Sequence, residues 1–195
     1  MVDILYHCSP VAGLKVLRPN ESRFGKPRQV CLASSLPMAL MYGVRHFEYT
    51  YGYTKAGELY YEEFFHDALE EIYRGKSASL YVCARREDME TTEFPNEYTA
   101  RSEVPVEREI LIPDVYAALM EQVRQGALKI VRWEDTSDQR REWVVKVELL
   151  TIQEQGLLAR PDDPFARYIQ EKYPESWALA AGGFSSEIEH NQCGT

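Results

Sequence analysis

No run of eighteen apolar residues occurs in this chain of 195, so no segment reads as a membrane span. The first residues, Met1-Val2-Asp3-Ile4-Leu5, lack the basic start and long apolar stretch of a secretory signal. The expected compartment is therefore the cytoplasm, with no membrane partner. Cysteine is scarce and scattered (Cys8, Cys31, Cys83, Cys193), with no CxxC pair, which predicts reduced thiols rather than a disulfide framework. His7, His46, His66 and His190 lie far apart, so no metal site is expected. Positive charge is also short: 22 Lys and Arg against 31 Asp and Glu give a net charge of -9. That excludes the dense basic face of a general nucleic-acid binder, while leaving room for a small basic pocket for a pyrophosphate. The hydrolase and nucleotide motifs GxSxG, HExxH and the P-loop do not occur.

What is present suits one domain with a helical appendage. Apolar residues make up 45% of the chain, enough for a packed core. The sequence predicts a core over residues 1–135, a helical extension over 136–181 and a loose tail over 182–195. Residues 3–8 read as a short buried strand ended by Ser9-Pro10, because proline removes a ladder donor. Residues 13–17 read as a second short strand and 29–33 as a clearer one. Ser35 as cap and Pro37 in the first turn predict a helix over 37–42, stopped by Gly43.

Tyr49, Tyr51 and Tyr53 alternate, as in a strand or extended loop. They are read either as an edge segment packed on the core or as an aromatic flap over a pocket. Tyr61, Phe64, Phe65, Ala68, Leu69 and Ile72 recur at helical spacing and predict a helix over 61–73, ended at Arg74-Gly75-Lys76. Strands are expected over 79–84, within 97–106 and over 128–133. Helices are expected over 113–125, 139–155 and 164–173, with a strand as the rival reading of the second because of its run Val144-Val145-Lys146-Val147.

Three short segments carry chemistry in order along the chain. They are His7-Cys8-Ser9, then Val30-Cys31-Leu32-Ala33 followed by Ala39 and Tyr42, then Asn96-Glu97-Tyr98. Together with Gly13-Leu14-Lys15 and Phe24-Gly25-Lys26, this order resembles the His-Tyr-Glu branch of the ADP-ribosyltransferases, which includes the poly(ADP-ribose) polymerases. The resemblance covers about residues 4–112. It implies an α+β fold, an ADP-ribosyltransferase-like split antiparallel sheet core with flanking helices. It also implies NAD as substrate and transfer of ADP-ribose to an acceptor, a protein among the candidates.

By the same resemblance His7 holds the adenosine ribose, the Cys8 backbone binds the carboxamide and Ser9 helps hold the ribose. Cys31 lines the pocket where the family has a tyrosine, and Tyr42 stacks on the nicotinamide. Glu97 is the catalytic carboxylate, with Glu103 as its rival because Ser102-Glu103-Val104 could equally be the relevant strand. Each residue also has a plainer reading: a satisfied core histidine, a strand terminator, a small buried cysteine, a packing tyrosine, a strand-edge glutamate. Cys31 and Ala39 depart from the family pattern, where a tyrosine and a serine stand. They keep open an alternative function, a catalytically degenerate domain that binds NAD, a nucleotide or a protein. A phosphotransferase acting on RNA 2′-phosphates is a third reading, and the net charge counts against it.

Overall fold

A computed structural model describes residues 3–20, 27–48 and 50–182. Phe24-Gly25-Lys26, Tyr49 and the expected tail from residue 183 lie outside the described residues. The architecture is mixed α+β, with antiparallel sheets and flanking helices. The chain divides into two compact units, Met1–Trp133 and Glu134–Thr195. Among the described residues no helix is long and apolar enough to cross a membrane, and no group of His, Cys, Asp or Glu is placed to hold a metal ion.

In the first unit, β1 (Ile4–Ser9), β2 (Val16–Leu17) and β3 (Val30–Ala33) lead into helix α1 (Leu36–Met41). Then come β4 (Tyr51–Tyr53), β5 (Leu59–Glu62), α2 (Ala68–Tyr73), β6 (Ala78–Ala84), β7 (Glu90–Thr91), β8 (Glu97–Ala100), β9 (Val104–Pro105) and β10 (Arg108–Ile112). Helix α3 (Val115–Arg124) and β11 (Lys129–Val131) complete it. Six strands form the main sheet in the order β10-β6-β1-β3-β8-β7. A three-stranded sheet, β11-β5-β4, and a β2-β9 pair lie beside it; β11 and β5 run parallel.

The main sheet holds together because β6 is buried on both faces from Ala78 to Cys83, as a near-continuous apolar strand should be. On one face Leu5, Val30, Leu32, Tyr81, Cys83 and Ala100 pack with Leu17, Met89 and Val104. These are alternate residues of neighbouring strands, the period-two pattern of a half-covered sheet. Helix α1 packs against β1, β3 and α3, and buries Met38, Ala39, Leu40 and Met41. Asp114 caps α3 by accepting from Ala117 N at 3.0 Å, and accepts from Gly75 N at 3.1 Å through its other oxygen.

Two expectations fail here. The helix over 61–73 is in fact strand β5 followed, after a turn, by the shorter α2. Tyr61 pairs with Tyr51 across the β4–β5 ladder, so sheet pairing overrides the helical spacing of the rings. Ser35 stands ahead of α1 as expected, but its hydroxyl makes no capping bond; its carbonyl instead accepts from Ala39 N at 3.0 Å.

The second unit is helical: α4 (Asp138–Glu154), α5 (Pro164–Lys172) and α6 (Pro174–Ala181) pack on one another. Ser137 and Asp163 cap the first two by accepting from Arg140 N and Phe165 N. Val144, Leu149, Ile152, Leu157, Ala166, Ile169, Tyr173 and Ala180 are buried apolar residues of this unit. Helix α6 follows α5 after Tyr173, with Pro174 in its first turn, and was not expected from the sequence.

Candidate functional site

The site follows from an uneven strand pairing. β1 keeps a ladder with β6 along its whole length, from Ile4 opposite Ala84 to Ser9 opposite Ser79. With β3 it shares one registered pair, Tyr6 opposite Ala33. β3 is meanwhile fully paired with β8 on its other side, from Val30 opposite Ala100 to Ala33 opposite Glu97. The sheet is thus open between β1 and β3, and a cavity of about 250 Å³ occupies the opening.

His7, Cys8 and Ser9 of β1, Cys31 of β3, Tyr42 after α1 and Glu97 at the start of β8 all line this one cavity. Asn20, Met38 and Ala39 line it too. The rival Glu103 does not. It sits in the turn before β9, exposed, and its carboxylate pairs with Arg18 Nε at 3.2 Å.

The His7 ring bridges the open strands. Nδ1 lies 2.9 Å from the Cys31 carbonyl, which can only accept, so Nδ1 donates. In the neutral ring Nε2 is then the acceptor, and no described residue takes it. Burial pulls the His7 pKa below its ordinary value, against the opposing effect of the Cys31 carbonyl, so the neutral ring is favoured. Its ring stacks on that of Tyr81, with centroids 6.3 Å apart. The Tyr81 hydroxyl in turn donates to Val11 O at 2.6 Å and accepts from Leu14 N at 3.2 Å, which fixes the loop leaving β1.

Cys8 is buried, and burial pushes its thiol up to about 12. Only its position on the strand, not thiolate chemistry, can serve the site. Ser9 Oγ accepts from Val11 N at 3.2 Å, which leaves its proton for a second partner. Cys31 is exposed, which corrects the plainer reading of a small buried core residue. Alternation along β3 explains it: Val30 and Leu32 face the apolar core, and Cys31 faces the opposite way.

Glu97 is half-buried, and its Oε2 accepts from Thr92 Oγ1 at 2.6 Å. Oε1 accepts no bond from a described residue. The neighbouring Asn96 holds the rim. It has a left-handed backbone (φ 64), accepts from Ser34 Oγ at 3.0 Å and donates through Nδ2 to Tyr53 OH at 3.0 Å.

The described part of the tyrosine run is a packed edge strand. Tyr51 and Tyr53 pack on Phe94, with centroids 5.2 and 5.6 Å apart, and the Tyr51 hydroxyl is hydrogen-bonded to that of Tyr42. Burial first, then Tyr42 and the Glu97 carboxylate, push the Tyr51 phenol far above its ordinary value. A neutral phenol therefore stands close to the candidate acid. Sequence reasoning met Tyr51 only within the alternating tyrosine run, read as an edge segment or a flap, and gave Thr92 and Asn20 no role. The alternation of tyrosines was the only signal for the first, and the other two carried none.

The chain matches no family model, no curated protein and no solved structure. Geometry alone must therefore carry the functional reading. A neutral imidazole acceptor, a serine hydroxyl and a carboxylate with one uncommitted oxygen can hold sugar hydroxyls. The same carboxylate can stabilise a positive charge developing at a sugar carbon.

Proposed function

We propose that this chain is an ADP-ribosyltransferase-like protein that transfers ADP-ribose from NAD to an acceptor, with Glu97 as the catalytic carboxylate. The observation that carries the reading is the shared cavity. Residues 90 positions apart, His7 and Glu97, line one opening between two strands of the same sheet. A split antiparallel sheet is also what the resemblance implies for the fold.

In the reaction the bond between ribose C1′ and the nicotinamide nitrogen breaks, and its electron pair leaves with nicotinamide. The acceptor's nucleophile forms the new bond to C1′ and releases its proton. Between these events C1′ carries oxocarbenium-like positive charge. The Glu97 carboxylate stabilises that charge more than it stabilises the ground state, and this difference lowers the barrier. Neutral His7 accepts from a ribose hydroxyl through Nε2, and Tyr42 offers its ring to the nicotinamide.

A second reading has its own observation. Cys31 and Ala39, both on the cavity wall, stand where the family pattern has an aromatic ring and a hydroxyl. A domain that binds NAD without cleaving it would tolerate those residues.

Thermal unfolding with and without NAD, together with nicotinamide release, tests both readings. NAD should raise the melting temperature. Glu97→Gln should keep that shift and cut release by roughly a hundredfold or more, the scale of losing one charge-stabilising group. Glu103→Gln should release at the wild-type rate. Binding without release supports the second reading; no thermal shift with NAD refutes both. If Glu103→Gln abolishes release while Glu97→Gln does not, the assignment of the acid is wrong.

A further inference from the structure

Pockets that enclose a whole small ligand run to about 300–1,000 Å³. The cavity between β1 and β3 holds about 250 Å³, so a dinucleotide seated there must extend beyond it. Pro10 lines this cavity and also a second, open hollow of about 490 Å³. The hollow is walled by the loop after α1 (Gly43, Val44, Arg45) and the loop before β6 (Gly75, Lys76, Ser77).

Its charge is unlike that of the rest of the chain. Acids outnumber bases 31 to 22, yet the lining has a guanidinium, an ammonium and a hydroxyl, and no carboxylate. Elsewhere exposed cations are commonly neutralised: Arg18 by Glu103, Arg74 by Glu70, Arg101 by Glu90, Lys129 by Glu58. Arg45 and Lys76 are exposed and make no ion pair with a described residue.

The two loops are also tied together. Tyr73 OH lies 3.0 Å from His46 Nε2 and donates to Met41 O at 3.1 Å, which joins the end of α2 to the segment carrying Arg45. Lys76 N donates to Tyr73 O at 3.2 Å, Lys76 O accepts from Val115 N at 2.8 Å, and Asp114 holds Gly75 N. The Lys76 backbone is therefore held before any ligand arrives, and Arg45 precedes a residue tied to the same point, which lowers the cost of ordering them on binding.

We infer that the Arg45–Lys76 hollow is an anion subsite that takes a phosphate or pyrophosphate group beside the His7–Glu97 cavity. The anion is either NAD's own pyrophosphate or a phosphate on the second substrate. Both sources rest on the function proposed above; the anion subsite itself does not. Arg45 would grip two phosphate oxygens with its planar fork, and Lys76 would add a point charge.

Calorimetric titration of the whole chain with inorganic pyrophosphate, NAD and nicotinamide riboside tests this. The proteins compared are wild type, Arg45→Gln, Lys76→Gln and the double variant. Each substitution should weaken pyrophosphate roughly tenfold, the loss of one charge-assisted contact, and Arg45→Lys should lose less. If NAD weakens in parallel while the phosphate-free riboside is unchanged, the dinucleotide's own phosphates fill the hollow. If pyrophosphate weakens and NAD does not, the subsite stands and serves the second substrate. If no protein binds NAD but pyrophosphate still weakens, the transferase reading fails and the subsite survives. Wild type that does not bind pyrophosphate, or binds it as the double variant does, overturns the inference.

Discussion

Gly43→Ala probes the wall between the candidate cavity and the adjoining hollow, because Cys8 lines the first and Gly43 the second. A Cβ built at Gly43 would lie 2.7 Å from Cys8 Sγ, 3.0 Å from Ala78 Cβ and 3.1 Å from Leu40 O. Carbon atoms pack best at about 3.5–4.0 Å, so all three contacts are repulsive. The backbone at Gly43 is not left-handed, so alanine is otherwise allowed there. Without the clash, the substitution should stabilise the chain by about 0.4–1 kcal/mol, through a less flexible unfolded state.

With the clash, overpacking costs about 1–3 kcal/mol. We therefore expect a net destabilisation of about 1–2 kcal/mol, or roughly 2–8 °C in melting temperature for a chain of this size. The cause is checked by a double-mutant cycle with Cys8→Ala, followed by urea unfolding. Removing the thiol should recover about 1 kcal/mol of the Gly43→Ala cost. Recovery should be partial, because Ala78 and the Leu40 carbonyl remain. A stabilised Gly43→Ala protein, or the same cost with and without the Cys8 thiol, would refute the close approach.

Three further outcomes follow from the same geometry. At pH 7.5 a thiol-specific alkylating reagent should modify exposed Cys31 well before buried Cys8 and Cys83, whose pKa values burial pushes to about 12 and about 11. NAD should slow modification of Cys31, followed by peptide mass mapping; labelling unaffected by saturating NAD would place the ligand elsewhere. The folded chain holds His7 below the 6.5 of an unfolded histidine, so as pH falls from 6.5 to that lowered value the unfolded state takes up the proton first. Stability should drop across this window more steeply in wild type than in His7→Gln, and parallel unfolding curves would contradict a half-buried ring held neutral. Arg132→Met should cost about 3–5 kcal/mol in urea unfolding, because it strips the partner at 3.0 Å from the fully buried Glu63 carboxylate. A cost below about 1 kcal/mol would mean that the backbone donors of Leu69 and Trp133 satisfy Glu63 on their own.

Much of the main sheet was legible because its strands carry local signals. Ser9-Pro10 ends β1, Val30–Ala33 is a compact apolar run, and the strand expected over 79–84 falls within β6. The segment around Tyr61 was not legible. Its rings fall at helical spacing, yet pairing of β5 with β4 and β11 decides its conformation, and those partners lie far away in sequence. β10 was missed as well; it is an edge strand with Leu111 exposed, so it lacks a clean alternating pattern.

Motif order named the residues that the fold brings to one cavity but left two glutamates open; in the structure Glu97 lines that cavity, while Glu103 lies outside it and pairs with Arg18. The basic hollow was invisible. Arg45 and Lys76 stand in unremarkable loops until the Tyr73 hydroxyl joins their neighbours.

The opening between β1 and β3 is hinged at Tyr6 and Ala33, like a clothes-peg, and the imidazole of His7 props its jaws. Each jaw is backed by an intact ladder of its own, β6 behind one and β8 behind the other. Widening the gape would therefore break the His7–Cys31 bond and leave both backing ladders whole. A descendant of this chain could come to admit a bulkier ligand by changing that prop alone, with no strand re-paired.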